Sequence, residues 1–244
     1  MTTGTAAPAV LVAHCGTKKI NREELTKIPA PEGTDTHKPV AHIELVNKLI
    51  ESLAYRHLEV VRDEYAVSPN GMKMFGVLDL SHQADDYRFS IGMRNANDKS
   101  MRIALTAGLR IFVCDNMAFN GDFQPLLAKH SKHLPLEDVI TLGVDKIQKA
   151  FIPLSEQVLR WKQQTITEEQ AKLHIYNAFI KAKIAPRQLM LAVHQAYFEP
   201  KYKEFDVTTV WSLHNAFTHA FKELNPIRQF QATAALGRFF QHWN

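Results

Sequence analysis

The sequence predicts an α+β fold, in which an N-terminal helix precedes a four-stranded antiparallel sheet of two hairpins and then about five helices. Three observations support this prediction. Residues 41–56 show helical spacing of apolar side chains, four strand-like segments follow between residues 58 and 113, and helical spacing returns after residue 126. Apolar residues form 45% of the 244-residue chain and charged residues 22%, which is typical of a globular protein with a core.

Residues 1–40 show no sustained period and contain several chain-breaking residues, Pro29, Pro31, Gly33 and Pro39. We therefore expect an extended arm or an insertion here. The Ala/Val-rich stretch from Ala6 to Ala13 is short for a signal peptide and lacks a basic flank. No run reaches the roughly 18–20 apolar residues of a membrane span, and two cysteines cannot form a disulfide framework. These features predict a cytoplasmic protein with no membrane partner.

The first hairpin is predicted from residues 58–68 and 72–80. They flank Ser68-Pro69-Asn70-Gly71, and Asn-Gly is a strong hairpin signal because both residues tolerate positive φ. Before it, the helix predicted over residues 41–56 has an apolar stripe of Ile43, Val46, Leu49, Ile50 and Leu53.

The second hairpin is predicted from residues 88–94 and 101–113, where the large apolar residues from Phe89 to Ile111 occupy odd positions. Opposed residues share a face, so even positions must pair with even positions. Pairing Arg94 with Ser100 meets this condition and leaves a five-residue loop, residues 95–99. One face of the sheet then buries Met, Ile and Leu, while the other carries four arginines, Arg88, Arg94, Arg102 and Arg110.

The remaining chain predicts helices. A seam from Ile140 to Trp161 steps by alternating four and three residues, and Pro153 should kink this helix. Thr167-Glu168-Glu169-Gln170 is a capping box that opens a helix to about residue 183. Further helices are expected near residues 185–198, from 206 or 208 to 225, and over 227–242. The predicted organisation is therefore an arm at 1–40, a sheet core with one helix at 41–125, and a helical region at 126–244 packed on the same core.

The arginine face permits two interpretations. Charged side chains commonly cover the solvent face of an antiparallel sheet, and acids from elsewhere could pair with them. Alternatively, the guanidinium groups, with small neighbours such as Gly92, Ala104 and Gly108, form an open platform for phosphates and stacked bases. On the second interpretation we expect nucleic-acid contacts from Arg88, Arg94, Arg102 and Arg110, with Asn97 and Lys99 at the loop edge.

No catalytic residue, cofactor or metal ligand is predicted. The chain lacks phosphate-loop, dinucleotide, HExxH, paired CxxC and GxSxG signatures. His130 and His133 lie three residues apart, but the sequence near them supplies no third and fourth metal ligand. The two histidines could therefore lie on the surface or pack between helices instead of binding a metal. Cys114 is expected to be a buried thiol; the alternative, a nucleophile, would need a base close to it. Asp98 could pair with Asp115 around a metal or could shape its turn by bonding to backbone amides.

Two stretches carry short motifs. The first, residues 94–117, places Asn95, Asp98 and Ser100 in a turn, and a strand then ends at Cys114, Asp115 and Asn116. The second places Trp211, Asn215 and Thr218 in a helix. Over about residues 41–240 the chain resembles a phage- and plasmid-like protein family of unknown function, with N-S-x-D-G/K-S, C-S/D-N-G/M and W-x-x-x-N-A-x-T motifs. Ala96 and His219-Ala220 depart from that pattern.

The resemblance implies a role in replication, recombination or conflict with host defences. The order of helix, four strands and helices is also similar, in topology alone, to single-strand-annealing recombination proteins. We therefore expect a non-enzymatic, homo-oligomeric protein that binds single-stranded nucleic acid. The alternatives are a module that binds a host defence protein, and a divalent-metal enzyme using Asn95, Asp98, Asp115 and Asn116.

Overall fold

A computed structural model describes residues 18–84, 87–111, 117–119 and 126–241. The described part is α+β, as predicted. Its strands and helices both contribute to one hydrophobic cluster, which includes Leu78 and Ile91 from the sheet and Ile147 and Phe217 from the helices. In this described part, no helix combines the length and the apolar character needed to cross a membrane.

The strands form one antiparallel sheet with the order β1-β2-β3-β4-β5, and β6 and β7 both pair with β5 along its free edge. The four predicted strands are present as β2 to β5, and three short strands extend the sheet on both sides. The bounds are β1 Lys18–Ile20, β2 Val60–Val67, β3 Lys73–Gln83, β4 Tyr87–Ala96, β5 Ile103–Ile111, β6 Met117–Phe119 and β7 Leu126–Ala128.

The helices largely follow the predicted order. Their bounds are α1 Arg22–Thr26, α2 His42–Ala54, α3 Leu136–Gln163, α4 Glu168–Tyr176, α5 Met190–Phe198, α6 Val210–Ala220 and α7 Pro226–Gln241. The predicted capping box at Thr167 is confirmed, and a π-helical turn, Asn177–Lys181, continues α4. Helix α3 runs through Pro153 as one element. Its seam is buried, so it belongs to the core.

Residues 18–40 contain more structure than the predicted arm. β1 adds to the edge of β2, and α1 begins with a capping box between Asn21 and Glu24. Leu25 from α1 is fully buried in the core. The segment that follows runs to Val40, and His37 makes an isolated antiparallel bridge with Ser131. This stretch is therefore part of the fold.

The first hairpin forms at the predicted position, but only Gly71 of the Asn-Gly pair has a positive φ. Val67 pairs with Met74, and Gly71 adopts a φ of 67° in the turn. The Gly71 N–H donates to the Ser68 carbonyl at 2.8 Å. A positive φ is inexpensive for glycine because it has no Cβ.

The second hairpin has the predicted parity but a different register. Arg94 pairs with Ala104, so the predicted pairing with Ser100 is wrong. β4 continues against β3 beyond Arg94, since Asn95 pairs with Met74 and the Asn97 N–H donates to the Met72 carbonyl at 2.8 Å. Pairing with β3 therefore lengthens β4 and leaves residues 97–102 as the loop.

The odd-numbered residues of β4 and β5 form the core face, as expected. This face holds Phe89, Ile91, Met93, Ile103, Leu105, Ala107 and Leu109, all buried. Helix α3 packs on β5 and β7, and α2 packs on α3 and β2. The opposite face differs from the predicted open platform, because Ser90, Gly92, Ala104, Thr106 and Gly108 are buried too.

Candidate nucleic-acid interface

Arg110 does not lie on an open surface. Its side chain is 4% exposed, and its Nε and Nη2 atoms donate to the carboxylates of Asp79, at 2.7 Å, and Glu64, at 3.1 Å. Asp79 also accepts the Ser90 hydroxyl at 2.7 Å. The prediction that Arg110 is an exposed phosphate contact is therefore wrong, because acids from β2 and β3 occupy the same face and pair with it.

The buried ion cluster favours the charged forms of Arg110 and Glu64. Burial opposes ionisation of Arg110, but the two carboxylates outweigh burial and hold the pKa of Arg110 above its ordinary value. Burial likewise opposes ionisation of Glu64, yet Arg110 and Arg62 lower the pKa of this carboxyl. The Glu64 carboxylate also accepts hydrogen bonds from the Arg62 guanidinium at 2.9 Å and from the Lys19 ammonium at 3.1 Å. The cluster therefore links β2, β3 and β5 through ionised side chains.

The other three arginines lie at opposite ends of the hairpin. Arg88 is opposite Arg110 and donates to Gln83 at 2.9 Å. Arg94 lies six residues further along β4, about 20 Å away at the rise of an extended strand. The half-buried Arg94 donates to the Arg102 carbonyl, and burial lowers its pKa. Arg102 is exposed. The four guanidinium groups therefore form no single platform.

A pocket of about 440 Å³ opens beside the β4–β5 loop, and we call it the basic pocket. Three chain segments line it: residues 36–37, residues 99–102 and residues 129–131. Lys99, Arg102 and Lys129 are exposed cations of this lining, and none of them has an ion pair with a described residue. The nine lining residues include no carboxylate; they are Thr36, His37, Lys99, Ser100, Met101, Arg102, Lys129, His130 and Ser131.

Asn97 holds the loop of the basic pocket in place. Its side chain accepts from the Val40 N–H at 3.0 Å and donates to the Val40 carbonyl at 2.9 Å. Asn97 is 5% exposed, so it positions the loop and does not itself offer a surface contact. This finding corrects the prediction of a nucleic-acid contact at Asn97. A backbone hydrogen bond joins the other two segments of the lining, since the Lys38 N–H donates to the His130 carbonyl at 3.0 Å.

Asp98 shapes the turn, as one of the two interpretations predicted. It accepts from the Ser100 N–H at 3.1 Å and pairs with Lys73 at 3.2 Å. Burial opposes ionisation, but the Ser100 and Lys73 hydrogen bonds lower the pKa of Asp98. The negative charge of Asp98 is therefore compensated by Lys73, and Asp98 is not among the residues that line the basic pocket. Lys99 follows it with a φ of 65°.

A series of hydrogen bonds runs beneath the basic pocket. The Gly71 carbonyl lies 2.8 Å from His42 Nε2, Asn95 Nδ2 lies 2.9 Å from His42 Nδ1, and Asn95 Oδ1 lies 2.7 Å from His130 Nε2. A carbonyl can only accept, so His42 carries its proton on Nε2 and accepts through Nδ1. Asn95 then donates to His42, and His130 donates from Nε2. Burial lowers the pKa of His42, and burial with two neighbouring imidazoles lowers that of His130 to about 4.

The second motif lies in the helical core. In α6, Asn215 Nδ2 donates to the Trp211 carbonyl at 2.9 Å, and the Thr218 hydroxyl donates to the Asn215 carbonyl at 3.0 Å. The Trp211 ring is parallel to the His214 ring. All of these residues are buried, so they form helix-packing contacts. Cys114, Asp115 and Asn116 of the first motif lie outside the described residues.

Sequence reasoning missed several residues of the site. The pairing of residues 36–37 with residues 129–131 joins segments far apart in the chain, which no local pattern reveals. The sequence feature that indicates a site here is the basic stretch around His130, with Lys129 before it and Lys132 shortly after. Within the described ranges of the chain, no three His, Cys, Asp or Glu residues are grouped to hold a metal ion.

Comparisons of the chain with protein-family models, with curated proteins and with solved structures find no match.

Proposed function

We propose that this protein binds single-stranded nucleic acid at the basic pocket, as a cytoplasmic, oligomeric protein of a mobile element that acts in strand annealing or recombination. One observation supports the proposal above all others. Three exposed cations from two separate segments, Lys99, Arg102 and Lys129, surround one concavity whose described lining has no acid. Such an arrangement attracts polyanions.

The chemistry of the lining suits phosphate. Guanidinium and ammonium groups make charge-assisted hydrogen bonds with phosphate oxygens, and the hydroxyls of Ser100 and Ser131 can add neutral ones. Arg102 can also stack on a base, and Met101 adds an apolar surface beside it. The lining therefore offers contacts to a nucleotide's phosphate and to its base.

The concave shape favours a single strand. Pockets of about 300–1,000 Å³ enclose small molecules, and this one, at about 440 Å³, falls in that range. A single strand is flexible enough to turn one nucleotide into such a pocket. A duplex is stiff and keeps its bases stacked inside. We therefore expect tighter binding of single-stranded than of duplex oligonucleotides.

The test is an anisotropy titration with a labelled single-stranded oligonucleotide at low and at high salt. The variant Arg102→Glu/Lys129→Glu should weaken binding by more than tenfold, because each charge-assisted hydrogen bond to phosphate contributes on the order of 1–3 kcal/mol. The salt dependence should also become shallower, by about 0.7 in log–log slope for each phosphate that is no longer neutralised.

The matched control is Lys146→Glu/Lys149→Glu, which makes the same change in net charge on exposed positions of α3. It should leave most of the affinity intact. Equal losses in the two variants would mean that net charge, rather than the basic pocket, attracts the oligonucleotide. Unchanged affinity in folded Arg102→Glu/Lys129→Glu would disprove the proposal.

A further inference from the structure

The basic pocket is lined by buried as well as by exposed side chains. Two imidazoles line it that are almost fully buried, since His37 is 9% and His130 6% exposed. Their ring centroids are 5.3 Å apart. The three cations of the lining are exposed, so the pocket combines charged groups at the protein surface with imidazoles that are covered from solvent.

Each imidazole has one nitrogen available to a ligand. His130 Nε2 is occupied by Asn95 Oδ1 at 2.7 Å, and His37 Nε2 lies 3.3 Å from the Asn97 carbonyl. Both Nε2 atoms therefore donate, and the Nδ1 atoms have no partner among the described residues. A neutral Nδ1 accepts a hydrogen bond, and burial lowers the pKa of His130 to about 4, so this imidazole is neutral near pH 7. Its Nδ1 can therefore accept from the remaining hydroxyl of a singly ionised phosphomonoester, while the cations of the lining contact the charged oxygens.

The charge of the basic pocket matches a phosphate at the end of a strand better than one within it. An internal phosphodiester carries one negative charge and is tied to sugars on both sides. A phosphomonoester carries about 1.5 to 2 negative charges near pH 7 and has three free oxygens. Three cations and no carboxylate in the described lining provide more positive charge than one phosphodiester neutralises.

We infer that the basic pocket recognises the terminal phosphate of a nucleic-acid strand, held by the exposed Arg102 and Lys129 together with the buried His37 and His130. This inference rests on the proposed function and specifies its ligand. Recognition of strand ends would place the protein at the termini of single strands, where annealing and end processing begin.

The experiment compares one labelled single-stranded DNA sequence with a 5′-hydroxyl, a 5′-phosphate or a 3′-phosphate end, by anisotropy at one fixed salt concentration. A phosphorylated end should bind about tenfold more tightly, as one added charge-assisted hydrogen bond provides. The advantage should disappear in Arg102→Gln/Lys129→Gln and persist in the control Lys146→Gln/Lys149→Gln.

The outcomes separate the two proposals. If all three oligonucleotides bind equally and the pocket variant weakens them equally, strand binding holds and end recognition is refuted. If none binds, both proposals fall. Competition with dAMP identifies the source of the phosphate: displacement at concentrations equal to the oligonucleotide would assign the site to free nucleotides and overturn the strand-end inference.

Discussion

Arg110 carries its charge in a part of the sheet where water is almost excluded. A buried guanidinium is tolerated because Asp79 and Glu64 compensate it, although its Nη1 atom has no hydrogen-bond partner. The alternation in β5 correctly placed Arg110 on the face opposite the apolar core. It could not show that acids of two other strands lie on the same face, because cross-strand register is not a local property.

The substitution Asp79→Asn should therefore strongly destabilise the protein. The amide keeps a hydrogen bond to Ser90 but removes one of the two charges that compensate Arg110. We expect a loss of about 3–5 kcal/mol in the free energy of unfolding, measured by urea denaturation.

The control is Glu23→Gln, which removes the carboxylate that pairs with Lys27 on the surface. Its effect should be much smaller, because water screens an exposed ion pair. Similar losses in both variants would show that Arg110 does not depend on buried compensation.

The residues of the basic pocket show how far single positions could be predicted. The loop and strand pattern predicts Lys99 and Arg102 as phosphate contacts, and both line the pocket. Lys129 and His37 were missed, because they reach the loop only through tertiary pairing. Alternation alone groups Arg88 with them, because alternation shows which face of the sheet a residue lies on and not which end of the strand.

At the scale of elements, α2 ends with an unusual residue. The Leu58 N–H donates to the Leu53 carbonyl and the His57 N–H to the Ala54 carbonyl, both at 3.0 Å. This pair of bonds is a Schellman motif, in which the residue of positive φ is commonly glycine. His57 occupies that position, with a φ of 58°.

Replacing His57 with glycine should stabilise the protein. The left-handed conformation costs a residue with a Cβ about 1–2 kcal/mol, and the flexibility of glycine in the unfolded chain offsets part of that gain. We expect His57→Gly to raise the free energy of unfolding by about 0.5–1 kcal/mol in urea titrations. His57→Ala, which keeps a Cβ, should bring no such gain; a gain of equal size would attribute the effect to loss of the imidazole.

Elements with a strong period or a clear terminus were predictable. The Asn-Gly turn, the helix α2 and the capping box at Thr167 follow from local rules and are confirmed. The short strands β1, β6 and β7 were not predicted, because three residues are too few to show alternation. The register of β4 against β5 was missed because pairing with β3 determines where β4 ends.

At the scale of the whole molecule, buried histidines couple folding to pH. Burial lowers the pKa of His214, which lies among Trp161, Trp211 and Phe240, to about 3, and that of His130 is about 4. Unfolded histidine titrates near 6.5. Between these values the unfolded chain binds more protons than the folded one, so the free energy of unfolding falls as pH falls.

We therefore expect the protein to be most stable above about pH 6.5 and to lose on the order of 1–3 kcal/mol per buried histidine as pH approaches 4. Urea midpoints measured at several pH values between 7.5 and 4.5 would show this slope. In His214→Leu the slope should be shallower. A wild-type midpoint that stays constant over this range would contradict the coupling.

The hydrogen bonds from Gly71 through His42 and Asn95 to His130 have a direction, because each group donates on one side and accepts on the other. Turning the Asn95 amide over would set oxygen against the lone pair of His42 and nitrogen against the proton of His130. A backbone carbonyl in the first hairpin thus dictates which imidazole nitrogen is protonated at the far end. Every copy of the protein then meets an arriving anion with its protons in the same places, so a population of molecules shows one affinity instead of a mixture.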